Sequence, residues 1–320
     1  MNHLSPSQRA RAIGPRISVS SFSLHAELGE IRVPIETESG ALEEFVLPSA
    51  GTMTMTEFPE LVRARLGVRA VELCQIQLTD APTRGVDKLA TSLDQHAVAV
   101  TAIPIDIGNI ANPDAARREA YLSEIRPWID TAAQLGAPFA RVNAGAPIGA
   151  PNSSRPALIA SLRSLADYAS SVNVSLLVEN HGGPSSDPDW LAELLDTIGR
   201  DHLGLILDTG NFEPMLSAAE ARHAGQPLDE TTIDFEPIYE KIAKLAPLAT
   251  LVHAKAYDVL DDGTCGPVDL RRSLNLIRDS GFDGPITIEY EGQSDDPWTC
   301  TVRMVSLVRQ VFGRYLDESL

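Results

Sequence analysis

Four residues with side chains suited to gripping a cation stand behind apolar runs in the second half of the chain. They are Glu179 in "SLLVENHGG", Asp208 in "LGLILDTGN", His253 in "ATLVHAKAY" and Glu289 in "PITIEYEG". Three carboxylates brought to one point raise one another's pKa values unless a cation lies between them. Two glutamates, an aspartate and a histidine form a mixed, oxygen-rich donor set that suits a six-coordinate divalent ion such as Mn(II), Mg(II) or Co(II), with Zn(II) also compatible. Taken singly, His253 reads as a hydrogen-bonded core residue and Asp208 as a cap of the "DTGN" turn. A carboxylate ending a buried strand, as at Glu179 and Glu289, is expensive unless paired. Recurrence at the ends of four successive apolar runs favours the metal reading.

Further candidates surround these four. His181 follows Glu179 by two positions and is a candidate substrate donor or proton shuttle, kept near the strand mouth by the Gly182-Gly183 turn. Lys255 shares the parity of His253, so it either stabilises an enolate oxygen or pairs with a ligating carboxylate. His25, Asn143, Asn211 and Glu291 complete the candidate substrate contacts. Cys74, inside "VELCQIQ", reads as packing, because nothing local marks a lowered thiol pKa.

These side chains need elements to carry them. Apolar, β-branched runs at 16–25, 68–77, 97–105, 139–145, 174–181, 204–212, 249–257 and 285–292 read as strands. Helical periodicity falls between them, near 57–66, 86–96, 114–135, 155–171, 188–199, 234–246 and 268–280, with a last helix at 298–312. Proline near the first turn (Asn112-Pro113-Asp114, Asp187-Pro188) and glycine after the last (Gly67, Gly136, Gly199, Gly281) mark helix ends. Strict alternation of eight strands with eight helices implies a single-domain (β/α)8 TIM barrel, whose sites form at the strand C-terminal ends. Neighbouring strands about 4.8 Å apart bring four consecutive inward side chains to a common point. A doubly wound open sheet is the competing architecture, but no GxGxxG follows the first strand and no GxxxxGK[ST] occurs. Residues 27–56, a hairpin inserted after strand one, and 213–233 exceed a standard barrel.

Bulk properties set limits on partners. The chain has 320 residues, and its net charge of −18 opposes binding to nucleic acid or acidic membrane surfaces. No segment reaches the roughly 18 apolar residues of a membrane span. Residues 1–15 read as a flexible N-terminal arm and 16–320 as the barrel domain. The arm lacks the apolar run of a secretory signal, and Cys74, Cys265 and Cys300 form no CxxC pair, so a reducing cytoplasmic location is expected.

The motifs "LLVENHGG", "LILDTGNF", "LVHAKAYD" and "ITIEYEG" resemble the strand ends of the xylose isomerase-like barrel superfamily, also called the AP endonuclease 2 fold. The resemblance spans residues 16 to 312. It implies one divalent ion held by Glu179, Asp208, His253 and Glu289, with the two glutamates also acting as the acid/base pair. The implied activity is metal-dependent isomerisation or epimerisation of a small sugar, polyol or keto-sugar derivative, through proton abstraction next to a carbonyl. In two places the chain departs from the ketose 3-epimerase pattern: Asn211 stands where a histidine follows the aspartate, and Ser185 where a substrate-contacting glutamate follows the strand-five ligand. A lyase eliminating from an oxidised sugar or 3-keto glycoside is the alternative within the superfamily. An abasic-site endonuclease would need more strand-end histidines than His25, His181 and His253, and a non-catalytic sugar-binding subunit would need lost ligands. A homo-oligomer is compatible with the insertions.

Overall fold

The computed structural model describes the chain apart from residues 1–3, 15, 37–41, 79–85, 145–153, 224–231, 293–295 and 314–320. Eight parallel strands close into a barrel: strand one (Ile17–Ser20), two (Ala70–Glu72), three (Ala99–Ile105), four (Phe139–Val142), five (Ser175–Glu179), six (Leu203–Asp208), seven (Leu251–Ala256) and eight (Ile286–Tyr290). Strand one pairs with both strand two and strand eight, which leaves no open edge. Each strand is one of the expected apolar runs, because Val, Ile and Leu fit a sheet buried on both faces. The open-sheet alternative is thereby excluded.

The eight expected helices all form, among them Phe58–Leu66, Ala115–Gln134, Arg155–Ser171 and Pro297–Phe312. Local chemistry fixes their ends. Asp187 accepts from the Asp189 and Trp190 amides with Pro188 at the first position, and Gly67 closes its helix in the left-handed conformation at φ 61°.

Three departures from the sequence reading bear on the site. Strand one stops at Ser20, whose hydroxyl accepts from the Phe22 amide and starts a 3-10 turn (Ser21–Leu24). His25 therefore begins a short helix and does not end a strand. Strand two is likewise only three residues long, because the chain turns at Gln75–Gln77. The expected arm carries a helix, Pro6–Ile13, closed by a reciprocal cap in which Gln8 N–H donates to the Ser5 hydroxyl and the Ser5 amide donates to the Gln8 side chain. Ala10 packs with Ala102, Phe139, Leu177, Ile206 and Leu251, and Arg9 donates to Ser175 at 3.0 Å, so this helix plugs the N-terminal end of the barrel. Its polar sequence hid that role, since few of its side chains are buried.

The inserted hairpin forms as expected, pairing Ile31–Glu36 with Leu42–Leu47; its tip at 37–41 lies outside the described residues. The 213–233 insertion contributes a helix, Met215–His223, and its residues 224–231 lie outside the described part. Among the described residues no helix is long and apolar enough to cross a membrane.

Candidate metal centre

Parallel pairing puts the ends of strands five to eight side by side at the C-terminal mouth. Asp208 lies in register with His253, and Lys255 with Glu289. The His253 ring stands at the centre of the cluster. Its Nδ1 lies 3.2 Å from Glu179 Oε1, 3.3 Å from Glu289 Oε2 and 3.5 Å from Asp208 Oδ2. All four side chains are buried.

These separations test whether the set fits an ion. Donors held about 2.1 to 2.4 Å from a common ion at right angles stand roughly 3.0 to 3.4 Å apart, close to what the cluster shows. The donor atoms of Glu179, Asp208 and His253 all lie within 4.8 Å of one another, as one ion requires. Glu179 Oε1, Glu289 Oε2 and Asp208 Oδ2 gather around one imidazole nitrogen, and such a concentration of buried carboxylate oxygens is costly and is what a cation would relieve. The donor set and this concentration of buried carboxylates both fit a divalent ion.

Neighbouring groups hold each donor in place. Asp208 Oδ1 accepts from the amides of Gly210 and Asn211 at 2.7 and 2.9 Å, so the capping role and the ligand geometry coexist on different oxygens. Gly210 is required where it stands, because a Cβ there would lie 2.9 Å from the Lys255 stem. Asn211 donates to Glu179 Oε1 at 3.2 Å and accepts from Lys255 Nζ at 3.0 Å, tying strands five and seven together. Lys255 Nζ also lies 2.9 Å from Glu291, 3.3 Å from Asp208 and 3.4 Å from Glu289. Of the two roles considered for Lys255, the geometry displays the ion pair.

Charge is distributed unevenly. Burial pushes Asp208 up, and Lys255 only partly offsets it. Burial also opposes ionisation of Glu179, but Arg141 and His253 outweigh it and hold this carboxyl well below the usual range. Glu289, desolvated but faced by Lys255 and His253, is drawn down to about 2. Burial disfavours a charged His253, yet Glu72, Glu179 and Glu289 raise its pKa well above the ordinary value.

Three contributors had not been singled out in the sequence. Arg141 on strand four lies 2.8 Å from Glu179 Oε2, a close ion pair whose N–H does not point along the contact, and 2.5 Å from Asp106. Asp106 follows strand three directly and also accepts from Asn143 at 3.1 Å. Glu72 ends strand two, wholly buried, with Oε2 3.0 Å from His253 Nε2. The signal was available: each is a charged residue at the end of an apolar strand run, the same pattern that marked Glu179 and Glu289.

The remaining candidates lie outside the four-residue cluster. Asn143 bridges Asp106 and Arg141, and Glu291 pairs with Lys255. His181 is half-buried, close enough to Asp106 and Glu179 for its charge to lower both, and its amide donates to Ser185 at 2.8 Å. His25 turns back on its own segment, stacking on Phe22 with Nδ1 2.9 Å from the Phe22 carbonyl. Cys74 is buried and its thiol is pushed up to about 12, consistent with packing.

The fold and this centre define a barrel enzyme architecture, and comparison with known proteins places it. The sequence matches the xylose isomerase-like TIM barrel family over residues 62–305, and the chain belongs to that family. Curated proteins give no sequence match. Among solved structures, an L-ribulose 3-epimerase superposes with a TM-score of 0.64 at 16% identity, covering 95% of each chain. A 3-keto-D-glucoside 4-epimerase from E. coli gives 0.62 at 13% identity, covering 92% of this chain and 99% of that one. A xylose isomerase-like TIM barrel protein from Mycobacterium smegmatis, in complex with magnesium, gives 0.60 at 16%, covering 94% and 97%. At such identities the likeness is one of fold.

Proposed function

We propose that this chain is a divalent-metal-dependent isomerase or epimerase of a small sugar, polyol or keto-sugar derivative. The observation that carries the reading is the convergence of three carboxylate oxygens, from Glu179, Asp208 and Glu289, within 3.5 Å of His253 Nδ1. The sugar epimerases among the structural neighbours support the substrate class, and the magnesium complex supports the choice of a hard divalent ion.

Glu179, Asp208, His253 and Glu289 would hold the ion, which when bound polarises a substrate carbonyl and acidifies the adjacent C–H. The proton is then carried by Glu179 and Glu289, which approach from strands five and eight. Glu289 is the more open of the two, its side chain 9% exposed against 1% for Glu179. Lys255 and Arg141 hold these carboxylates ionised and oriented as proton acceptors. His181, Asp106 and Asn143 line the rim, where substrate hydroxyls would be received.

The test is a panel of ketoses and 3-keto glycosides assayed with protein stripped by chelator and reloaded with Mn(II), Mg(II) or Co(II). The reading expects mass-neutral conversion that depends on the added ion and is lost in Glu179→Gln. Full activity in that variant would refute it, and a product lighter by water or an aglycone would move the assignment to a lyase.

A further inference from the structure

One imidazole sorts four acidic side chains into two groups. Glu179, Asp208 and Glu289 gather at Nδ1 of His253, whereas Glu72 meets Nε2 on the opposite edge of the ring at 3.0 Å. A ring donating one nitrogen's lone pair to an ion must carry its proton on the other. We propose that Glu72 is a positioning residue: it accepts that proton's hydrogen bond, fixes the ring orientation, and so presents the Nδ1 lone pair to the ion.

Glu72 is placed for this and for little else. It is the last residue of strand two, fully buried, and its neighbour in register is Ser20 of strand one. Its Oε1 has no partner among the described residues. A lone carboxylate is a poor packing choice at such a place, since an apolar side chain of similar size would avoid the desolvation cost. The ring itself stands between Glu72 and the three other acids, so Glu72 reaches the ion only through His253. Carboxylates behind metal-bound histidines raise the basicity of the ligand and set its orientation, and their loss typically weakens metal affinity about 10- to 100-fold.

The inference rests on the metal reading above, and its test separates the two. Chelator-stripped wild type, Glu72→Gln and Glu72→Leu are titrated with Mn(II) by calorimetry, with melting curves of the stripped proteins confirming that each is folded. We expect Mn(II) to bind about 10- to 100-fold more weakly to Glu72→Leu, and Glu72→Gln to recover much of the loss, because its amide oxygen still accepts from Nε2–H. Loading with Co(II) supplies a second readout that packing alone would not move. The wild type should show a hyperfine-shifted, slowly exchanging Nε2–H proton resonance, retained in Glu72→Gln and lost to fast exchange in Glu72→Leu. Should Glu72→Leu fail to fold, the resonance in Glu72→Gln decides: its persistence with near-wild-type affinity supports the clamp, and its absence overturns it. Equal affinities with an unchanged resonance would overturn the role of Glu72 while leaving the metal centre intact. A wild type that binds neither ion would overturn both.

Discussion

Asn180 and the backbone of Asp208 exchange two hydrogen bonds: the side-chain amide donates to the Asp208 carbonyl at 2.9 Å, and the Asp208 N–H donates back to Asn180 Oδ1 at 2.8 Å. A side chain thus continues the pairing of strands five and six one step past the end of strand five. Both acids on either side of it, Glu179 and Asp208, are locked in relative position by this link. Asn180→Ala leaves a buried amide and a buried carbonyl unpaired. The expected cost is about 2–4 kcal/mol of stability, read as a lowered denaturation midpoint with an unchanged slope. An unaltered midpoint would show that the link is dispensable.

Arg141 carries the compensation for the buried Glu179 and the partly buried Asp106. Removing one partner of a buried pair strands the other, at a cost of roughly 3–5 kcal/mol. Arg141→Met is therefore expected to lower the melting temperature strongly in stripped protein and less so with Mn(II) present, since the ion takes over part of the charge on Glu179. Equal losses with and without the ion would place Arg141 outside the energetics of the centre.

Lys255 would compete with an ion held by these acids for the same oxygens, since it lies 3.3 Å from Asp208 and 3.4 Å from Glu289. In Lys255→Met the acids lose their internal counter-charge, so stripped protein should melt lower while Mn(II) binds more tightly. Differential scanning of both forms checks the two signs together. Weaker Mn(II) binding would mean that Lys255 organises the site and does not oppose it.

The pH dependence follows from His253, whose pKa in the folded protein is raised well above its ordinary value because Glu72, Glu179 and Glu289 outweigh burial. A raised folded pKa gives the ion-free protein a stabilising contribution that is fully present below the unfolded value and disappears as pH rises through the folded one. An ion held by His253 would require the same imidazole neutral, so its binding would release a proton and weaken as pH falls. The stabilisation conferred by Mn(II) should accordingly grow between about pH 6 and about pH 8. Melting curves at both, with and without the ion, give the comparison; a constant increment would contradict proton release.

How far the sequence discloses this arrangement depends on whether a residue's role is local. Glu179, Asp208, His253 and Glu289 each follow an apolar run, and alternation of strands and helices is enough to bring them together. The capped helix starts at Asp187 and the left-handed stop at Gly67 were legible for the same reason. Glu72 and Arg141 carry the same local mark, a charge within the apolar runs "VRAVE" and "FARV", but the barrel sets their partners: His253 comes to Glu72 from strand seven, and Asp106 and Glu179 come to Arg141 from the ends of the flanking strands. His25 reads as a strand end because apolar residues continue past Ser20 in "RISVSSFSLH", although their alternation changes phase at Ser20-Ser21, where the serine hydroxyl turns the chain. The helix beneath the barrel was hidden by its polarity, since Ala10 inserts into a core contributed by five distant segments.

The central claim is that four side chains on strands five to eight hold one divalent ion, and calorimetric titration of chelator-treated protein with Mn(II) tests it most directly. The account predicts saturable binding of one ion per chain, abolished in His253→Ala and in Asp208→Asn while both variants remain folded. Binding that does not saturate, or that both variants retain, would contradict it.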